Sequence, residues 1–343
     1  MGQNVYIPDT NFKSALLNYF PAIDVNHNGE ISYAEAADVQ NLDISNKNIT
    51  FLNGIEAFIA LNVFNCSQNK ISFIDVTQSI DLHILYCNSN EIGSTGFDIS
   101  KNTALTDLDI GNNYISTIDL SFNTYLMRLI CNNNQFTTLN LSKDTALIEL
   151  NISENHFISI NLSNNTALRK LNGKGNLFSS IDLSANINLQ ELICSENLMN
   201  LLDLSKNTAL VTLDCYANKI PVLNVRENPL LVSIYCNSNQ LSFLDIRVNS
   251  KLKNLHCQNN FISTICLNAI QLTDTLTWTK DTSAKYLATC SMGIYELNKN
   301  KNPDKILMNI YTLTGQKIDE DQAQNGIFIY EYCDGSRRKI WKY

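Results

Sequence analysis

At 343 residues, with 44% apolar side chains and a net charge of −8, the chain can build a substantial core and is longer than the usual single compact domain. The acidic balance leaves no basic stripe to neutralise phosphates, so nucleic acid is not an expected partner, and no apolar run approaches the roughly 18 residues of a transmembrane segment. The opening Met1-Gly2-Gln3 has neither a charged n-region nor an apolar h-region, which predicts either a cytoplasmic protein or one whose signal peptide precedes this numbering.

Residues 1–40 do not repeat. Asp9-Thr10 predicts a capped helix over 11–20, with Phe12, Leu16, Leu17 and Phe20 on one face. Asp24 to Glu35 then fits the twelve-residue EF-hand loop. Asp24, Asn26, Asn28 and Ser32 supply side-chain oxygens at positions 1, 3, 5 and 9, Gly29 stands at 6, the carbonyl of Glu30 at 7, and Glu35 at 12. This predicts a structural calcium ion in a helical cap, weakly held because no second loop pairs with it. The same residues also suit a plain turn at Asn28-Gly29 and a capping box from Ser32 to Glu35 opening a helix towards Val39.

Residues 41–270 repeat. Asn69, Asn90, Asn113, Asn134, Asn155, Asn176, Asn197, Asn218, Asn239 and Asn260 recur at the constant interval that separates Asn69 from Asn90, with one longer step from Asn90 to Asn113, in the frame L-x-x-L-x-C-x-x-N-x-L. That period falls in the range of roughly 20 to 29 residues typical of leucine-rich repeats. It predicts a leucine-rich repeat solenoid, a right-handed horseshoe of about eleven coils with a concave parallel sheet. One coil alone buries too few apolar side chains to offset the ordering of its backbone, so the coils must fold by stacking. A buried amide in the Asn slot can accept from and donate to the backbone of the turn, where aspartate would lack the donor. Lys47 fills the slot in the first coil, where no earlier coil must be matched.

Cys66, Cys87, Cys131, Cys194, Cys215, Cys236 and Cys257 share one column with Ile110, Ile152 and Gly173. Interchange with Ile marks a core position, and parallel neighbours point the same way, so the column predicts a ladder of buried free thiols. On the return arm Asp75, Asp98, Asp119, Asn140, Asn161, Asp182, Asp203, Asn224 and Asp245 form a second column. Their free exchange between Asp and Asn predicts side chains that tie their own turns. Gly93 to Gly96 reads as a bulge, and Gly173 with Gly175 as a local irregularity.

From about 271 the period fades. Residues 271–298, with Trp278 and Tyr286, predict a cap on the solenoid; 299–343 predict a linker around Pro303 followed by a small β module with turns at Thr314-Gly315 and Asp334-Gly335. Cys266, Cys290 and Cys333 fall outside the ladder, and their pairing is open.

The histidines His27, His83, His156 and His256 are scattered and no cysteine has a base partner in sequence, so an enzyme is not expected. Strand residues flanking the Cys slot face solvent on the concave side. Among them Tyr86, Asp214, Tyr216, Tyr235, His256 and Gln258 form the candidate ligand-binding set, since tyrosine offers rigid contact area with a polar end. A solvated sheet face carrying incidental tyrosines accounts for the same residues.

On these motifs residues 40–270 resemble the bacterial surface leucine-rich repeat proteins related to internalin J. The opening Ile7-Pro8-Asp9, Asn11-Phe12-Lys13 and the loop after it are similar to amino-terminal caps of such proteins in the Bacteroidetes. Ile310-Tyr311, Gly315 to Ile318, Asn325 to Ile329, Asp334-Gly335 and the finish Arg337 to Lys342 resemble a type IX secretion sorting domain. Asp144-Thr145-Ala146 and Asp274-Thr275-Leu276 resemble the short O-glycosylation motif of those bacteria. The resemblance implies a secreted or cell-surface adhesion protein without enzymatic activity, binding a host, matrix or neighbouring-cell protein or glycan, its signal peptide removed. The competing expectation is an intracellular or periplasmic self-assembling scaffold.

Overall fold

The computed structural model describes residues 3–269, 271, 278–288 and 290, and strand segments at 307–312, 317–318, 326–332 and 337–342. The chain divides into two units, Met1–Ala288 and Thr289–Tyr343.

The first unit is a solenoid built on an eleven-stranded parallel sheet that runs in chain order from Asn41–Asp43 to Asn254–His256. Each strand is three residues long, and its central residue points inward. Leu42, Phe64, Leu85, Leu108, Leu129, Leu150, Leu171, Leu192, Leu213, Ile234 and Leu255 therefore stand side by side in the core. The seven ladder cysteines lie behind them, buried and free. Burial pushes the Cys87, Cys215 and Cys236 thiols well above their ordinary range, so they pack as small hydrophobes.

The asparagine column ties each coil to the one before it. Asn155 is typical: its Oδ1 accepts from the Phe136 N–H at 3.0 Å, and its Nδ2 donates to the carbonyls of Cys131 at 3.0 Å and Ile152 at 3.2 Å. Asn69 likewise accepts from Lys47 and Ile49 N–H, which ties the second coil to the first. The residue before each Asn is left-handed, at φ 50 to 58° from Gln68 to Asn259, and Gly175 occupies this column at φ 65°. Gly175 is thus no irregularity but the one residue of its column that adopts this backbone without a Cβ penalty. Gly173 is equally in register: a Cβ there would sit 3.3 Å from the Phe178 ring, which fills the space a cysteine would take. Phe178 ends an internal stack with Phe157 and Phe136, with ring centroids 6.3 and 6.4 Å apart.

The return-arm column does tie its own turns. The Oδ1 atoms of Asp98, Asp119, Asn140, Asn161, Asp182 and Asp203 each accept from the N–H two residues on, at 2.9 to 3.1 Å. The bulge at 94–96 is one 3₁₀ turn, and the strands on either side of it stay paired, Leu85 with Leu108.

The period continues past 271. Thr279 bridges His256, Asp281 accepts from the N–H groups of Asn260 and Ile262 as an Asn would, and Lys285–Leu287 extends a short parallel sheet formed by Phe243–Asp245 and Thr264–Cys266. Residues 278–287 are thereby both cover for the last coil and one more partial turn of the repeat. Trp278 is buried there, donating to the Lys253 carbonyl at 2.8 Å. Cys266, unlike the ladder cysteines, is disulfide-bonded; Cys333 and Asp274 to Leu276 lie outside the described residues.

At the other end, the first helix spans Thr10–Leu17, with Asp9 capping Asn11 and Phe12. It stops short of the expected Phe20, because the residue before Pro21 is disfavoured in helical geometry, and Phe20 is left 93% exposed. Asp9 also accepts from Thr50 and Phe51 N–H, fastening the cap to the first coil. The second unit is a four-stranded antiparallel sheet, ordered Lys317–Ile318, Leu307–Thr312, Gly326–Tyr332, Arg337–Lys342.

Candidate functional site

In each concave strand the first and third residues face outward, since side chains alternate along a strand. In-register parallel pairing therefore lines up columns of outward groups. The third position and the one two residues beyond it carry the proposed binding residues.

Late in the sheet these side chains bond to one another. Tyr235 and His256 stack with centroids 5.1 Å apart at an interplanar angle of 15°. The Thr279 hydroxyl lies 3.0 Å from His256 Nδ1 and donates to Gln258 Oε1 at 2.5 Å. With that hydroxyl hydrogen spent on Gln258, the Thr279 oxygen faces His256 Nδ1 as an acceptor. The next group centres on Tyr216, whose hydroxyl donates to Glu196. Lys174 Nζ lies 3.2 Å from Glu196 and 4.0 Å from Glu154, and 6.0 Å from the Tyr216 ring centroid. Glu196 raises the Tyr216 hydroxyl above its ordinary range, and Tyr216 in turn holds Glu196 below its own. Burial pushes the Asp214 carboxyl up, and the Tyr216 backbone N–H pulls part of the way back.

The structure thus brings Asp214, Tyr216, Tyr235, His256 and Gln258 onto adjoining strands. Tyr86 is not among them: it pairs with Asn65 and Asp109, six strands from Asp214, or about 29 Å at roughly 4.8 Å per strand. Sequence reasoning missed Lys174, Glu196 and Thr279, which hold the tyrosine and histidine in place. It also missed the first strand column, where Asp107, Arg128, Glu149, Lys170 and Glu191 alternate in sign on adjacent strands. Arg128 and Glu149 approach to 3.6 Å. Alternating signs directly opposite one another are mildly stabilising, and the constant repeat period was the signal that could have found them.

In the amino-terminal loop, Asp24 Oδ1 and Oδ2 accept from the N–H groups of Asn28 and Gly29, the latter at φ 77°. Glu35 Oε1 accepts from Val25 N–H and Asn26 Nδ2, and Oε2 from the Ser32 N–H and hydroxyl, so the capping box is formed. The Ser32 backbone bond holds the Glu35 carboxyl below its ordinary range. Glu30 turns its side chain to Lys13 at 2.6 Å and has only its carbonyl to offer the loop. Asp24 and Glu35 are both buried and Asn28 and Ser32 add side-chain oxygens of the kind hard cations take, while Asn26 turns its Nδ2 to Glu35 and Asn28 Oδ1 accepts from the Glu30 N–H. Among the described residues no group of three or more His, Cys, Asp or Glu converges, and no helix is long and apolar enough to cross a membrane.

No family model and no curated protein sequence matches the chain. Solved structures do. The functional domain of InlJ from Listeria monocytogenes, described as including a cysteine ladder, is 22% identical with a TM-score of 0.64, covering 100% of this chain and 99% of that one. The internalin InlF of Listeria monocytogenes is 20% identical with a TM-score of 0.62, over 81% of this chain and 96% of that one. The ectodomain of the Arabidopsis thaliana receptor kinase GASSHO1, in complex with Casparian strip integrity factor 2, is 21% identical with a TM-score of 0.58, over 71% of this chain and 32% of that one. The chain has, by its strand register, its thiol ladder and these likenesses, the leucine-rich repeat fold of the internalin-like proteins.

Proposed function

We propose that the chain is a non-enzymatic adhesion protein of a bacterial cell surface, binding a protein ligand of a host, matrix or neighbouring cell through the late concave face. The observation that carries this reading is the bonded set of outward side chains there. Tyr235 stacks on His256, Thr279 fixes that ring, and Glu196 and Lys174 hold Tyr216. Side chains held before binding lose less entropy on contact, and tyrosine is enriched among residues that dominate interfaces. The complex of GASSHO1 with its factor illustrates a protein ligand on a solenoid of this class.

Export supports the same reading. Disulfide-bonded Cys266 fits an oxidising compartment, and the antiparallel unit ending in Arg337–Lys342 would act as a type IX sorting domain in a Bacteroidetes cell. To test binding, matrix-protein and glycan arrays are probed with the wild type and with Tyr216→Ala, Tyr235→Ala and His256→Ala combined. Binding to at least one protein spot should fall by tenfold or more in the triple variant, with the melting temperature unchanged. Equal binding by both proteins, or signal on glycans alone, would overturn the protein-ligand reading.

We further propose that the loop from Asp24 to Glu35 holds a structural calcium ion, with Asp24 and Glu35 as its carboxylates, Asn26, Asn28 and Ser32 as neutral oxygens and the Glu30 carbonyl completing the set. Two carboxylates predict weak binding. Millimolar calcium should raise the melting temperature by a few degrees over chelator in the wild type and leave Glu35→Gln unmoved. No difference in the wild type would remove the ion from the proposal.

A further inference from the structure

A second polar column runs through the interior on the return side. Asn102, Asn123, Asn165, Asn186, Asn207, Asn228 and Asn249 are fully buried. Each sends its Nδ2 hydrogens to two backbone carbonyls of the preceding coil, at 2.8 to 3.2 Å. Asn123, for instance, donates to the carbonyls of Ile99 and Asn102. Ser79 begins the column by donating to the Phe58 carbonyl at 3.0 Å, and Gln271 ends it by donating to those of Ile246 and Asn249. Every one of these residues serves as a donor.

Asp144 stands in the same column, 1% exposed, between Asn123 and Asn165. By the repeat, the carbonyls equivalent to those of Ile99 and Asn102 are those of Leu120 and Asn123, so the Asp144 carboxyl takes the place of an amide that would donate to them. Neither of its oxygens has a hydrogen-bond partner. An anion in that place sets like partial charges against each other in a dry interior, whereas a protonated carboxyl can donate as the amides do. The coil that follows is intact, since Asn165 donates to the Asp144 carbonyl at 2.9 Å.

We propose that Asp144 is a buried proton-binding site, a neutral carboxylic acid standing in for an amide, and that loss of its proton to water loosens the junction between the turns at 120–123 and 141–144. The solenoid then carries one acid-tightened joint in its middle. Burial raises the Asp144 carboxyl to about 6 from its ordinary 3.8. No charged neighbour contributes: Asp119 and Tyr125 on the preceding coil and Lys143 beside it are exposed, and the following turn at 162–168 holds no titratable side chain.

Below the ordinary value both folded and unfolded chains keep this proton, and Asp144 has no effect on the balance. Between about pH 4 and 6 the unfolded chain releases it first, so stability falls as pH rises through that window and stays lower above it. The test compares denaturant unfolding of the wild type, Asp144→Asn and Asp144→Ser from pH 4 to 7.5; both variants donate without titrating, as Asn123 and Ser79 do. Relative to either variant, the wild type should lose on the order of a hundredfold in its folding equilibrium constant across the window. A carbon-13 titration of the Asp144 carboxyl should give a midpoint near 6. Parallel pH curves for all three proteins, variants less stable than wild type at pH 7, or a carboxyl titrating at its ordinary value would each overturn the proposal.

Discussion

Asn155→Ala is expected to destabilise the solenoid by about 3 kcal/mol, far more than removing an exposed asparagine would cost. The change strands the Phe136 N–H and takes a donor from the carbonyls of Cys131 and Ile152, in a place only 6% exposed. An orphaned buried group costs roughly 1 to 3 kcal/mol, and here the N–H has no other partner while the carbonyls have. Asn155→Asp should cost a similar amount, since it keeps the acceptor and loses both donor hydrogens. Lys47→Ala, in the same slot of the first coil, should be nearly neutral because no earlier coil depends on it. Urea unfolding of the three variants measures this; a small effect at Asn155 would mean that water enters the turn and replaces the amide.

The period that reveals this column also made most of the fold legible. A constant spacing with interchange of Cys and Ile fixes which residues face inward, and the Asn slot then fixes the register of every strand. Legibility failed where one residue type stood in for another. Asp281 does the work of Asn towards Asn260 and Ile262, so the repeat looked finished about a coil early. Gly173 looked like a defect because the Phe178 ring that replaces its side chain lies in the same coil but further along the chain. The first helix ends at Leu17, although Phe20 continues its apolar spacing, and Pro21 keeps Phe20 out of helical geometry.

For the candidate site the limit is of another kind. Column membership shows that Tyr216, Tyr235 and His256 face outward, and the register sets Tyr86 apart from them. What sequence spacing does not carry is which neighbours hold those rings. Thr279 and Glu196 belong to different columns, and their bonds to His256 and Tyr216 run between coils. Asp144 was visible only as part of a three-residue motif. Its meaning depends on the donors above and below it, which appear once the coils are stacked.

Phe157→Ala should have the largest effect of any single truncation in the solenoid interior, about 4 kcal/mol. Its ring is fully buried between Phe136 and Phe178, so truncation removes the transfer energy of the ring, leaves a cavity spanning neighbouring coils, and breaks both ring contacts at once. Phe157→Leu should cost only about 1.5 kcal/mol, since most of the volume is kept. Because each coil touches only its neighbours, a weak coil in the middle of the array should also divide it. Urea unfolding of Phe157→Ala is therefore expected to become biphasic where the wild type gives one transition, with hydrogen exchange placing the break near the strand Glu149–Asn151. A single shifted transition would instead mean that coupling between coils exceeds what one ring stack supplies. The backbone ties of Asn155 and Asn176 would then be the main carriers of cooperativity.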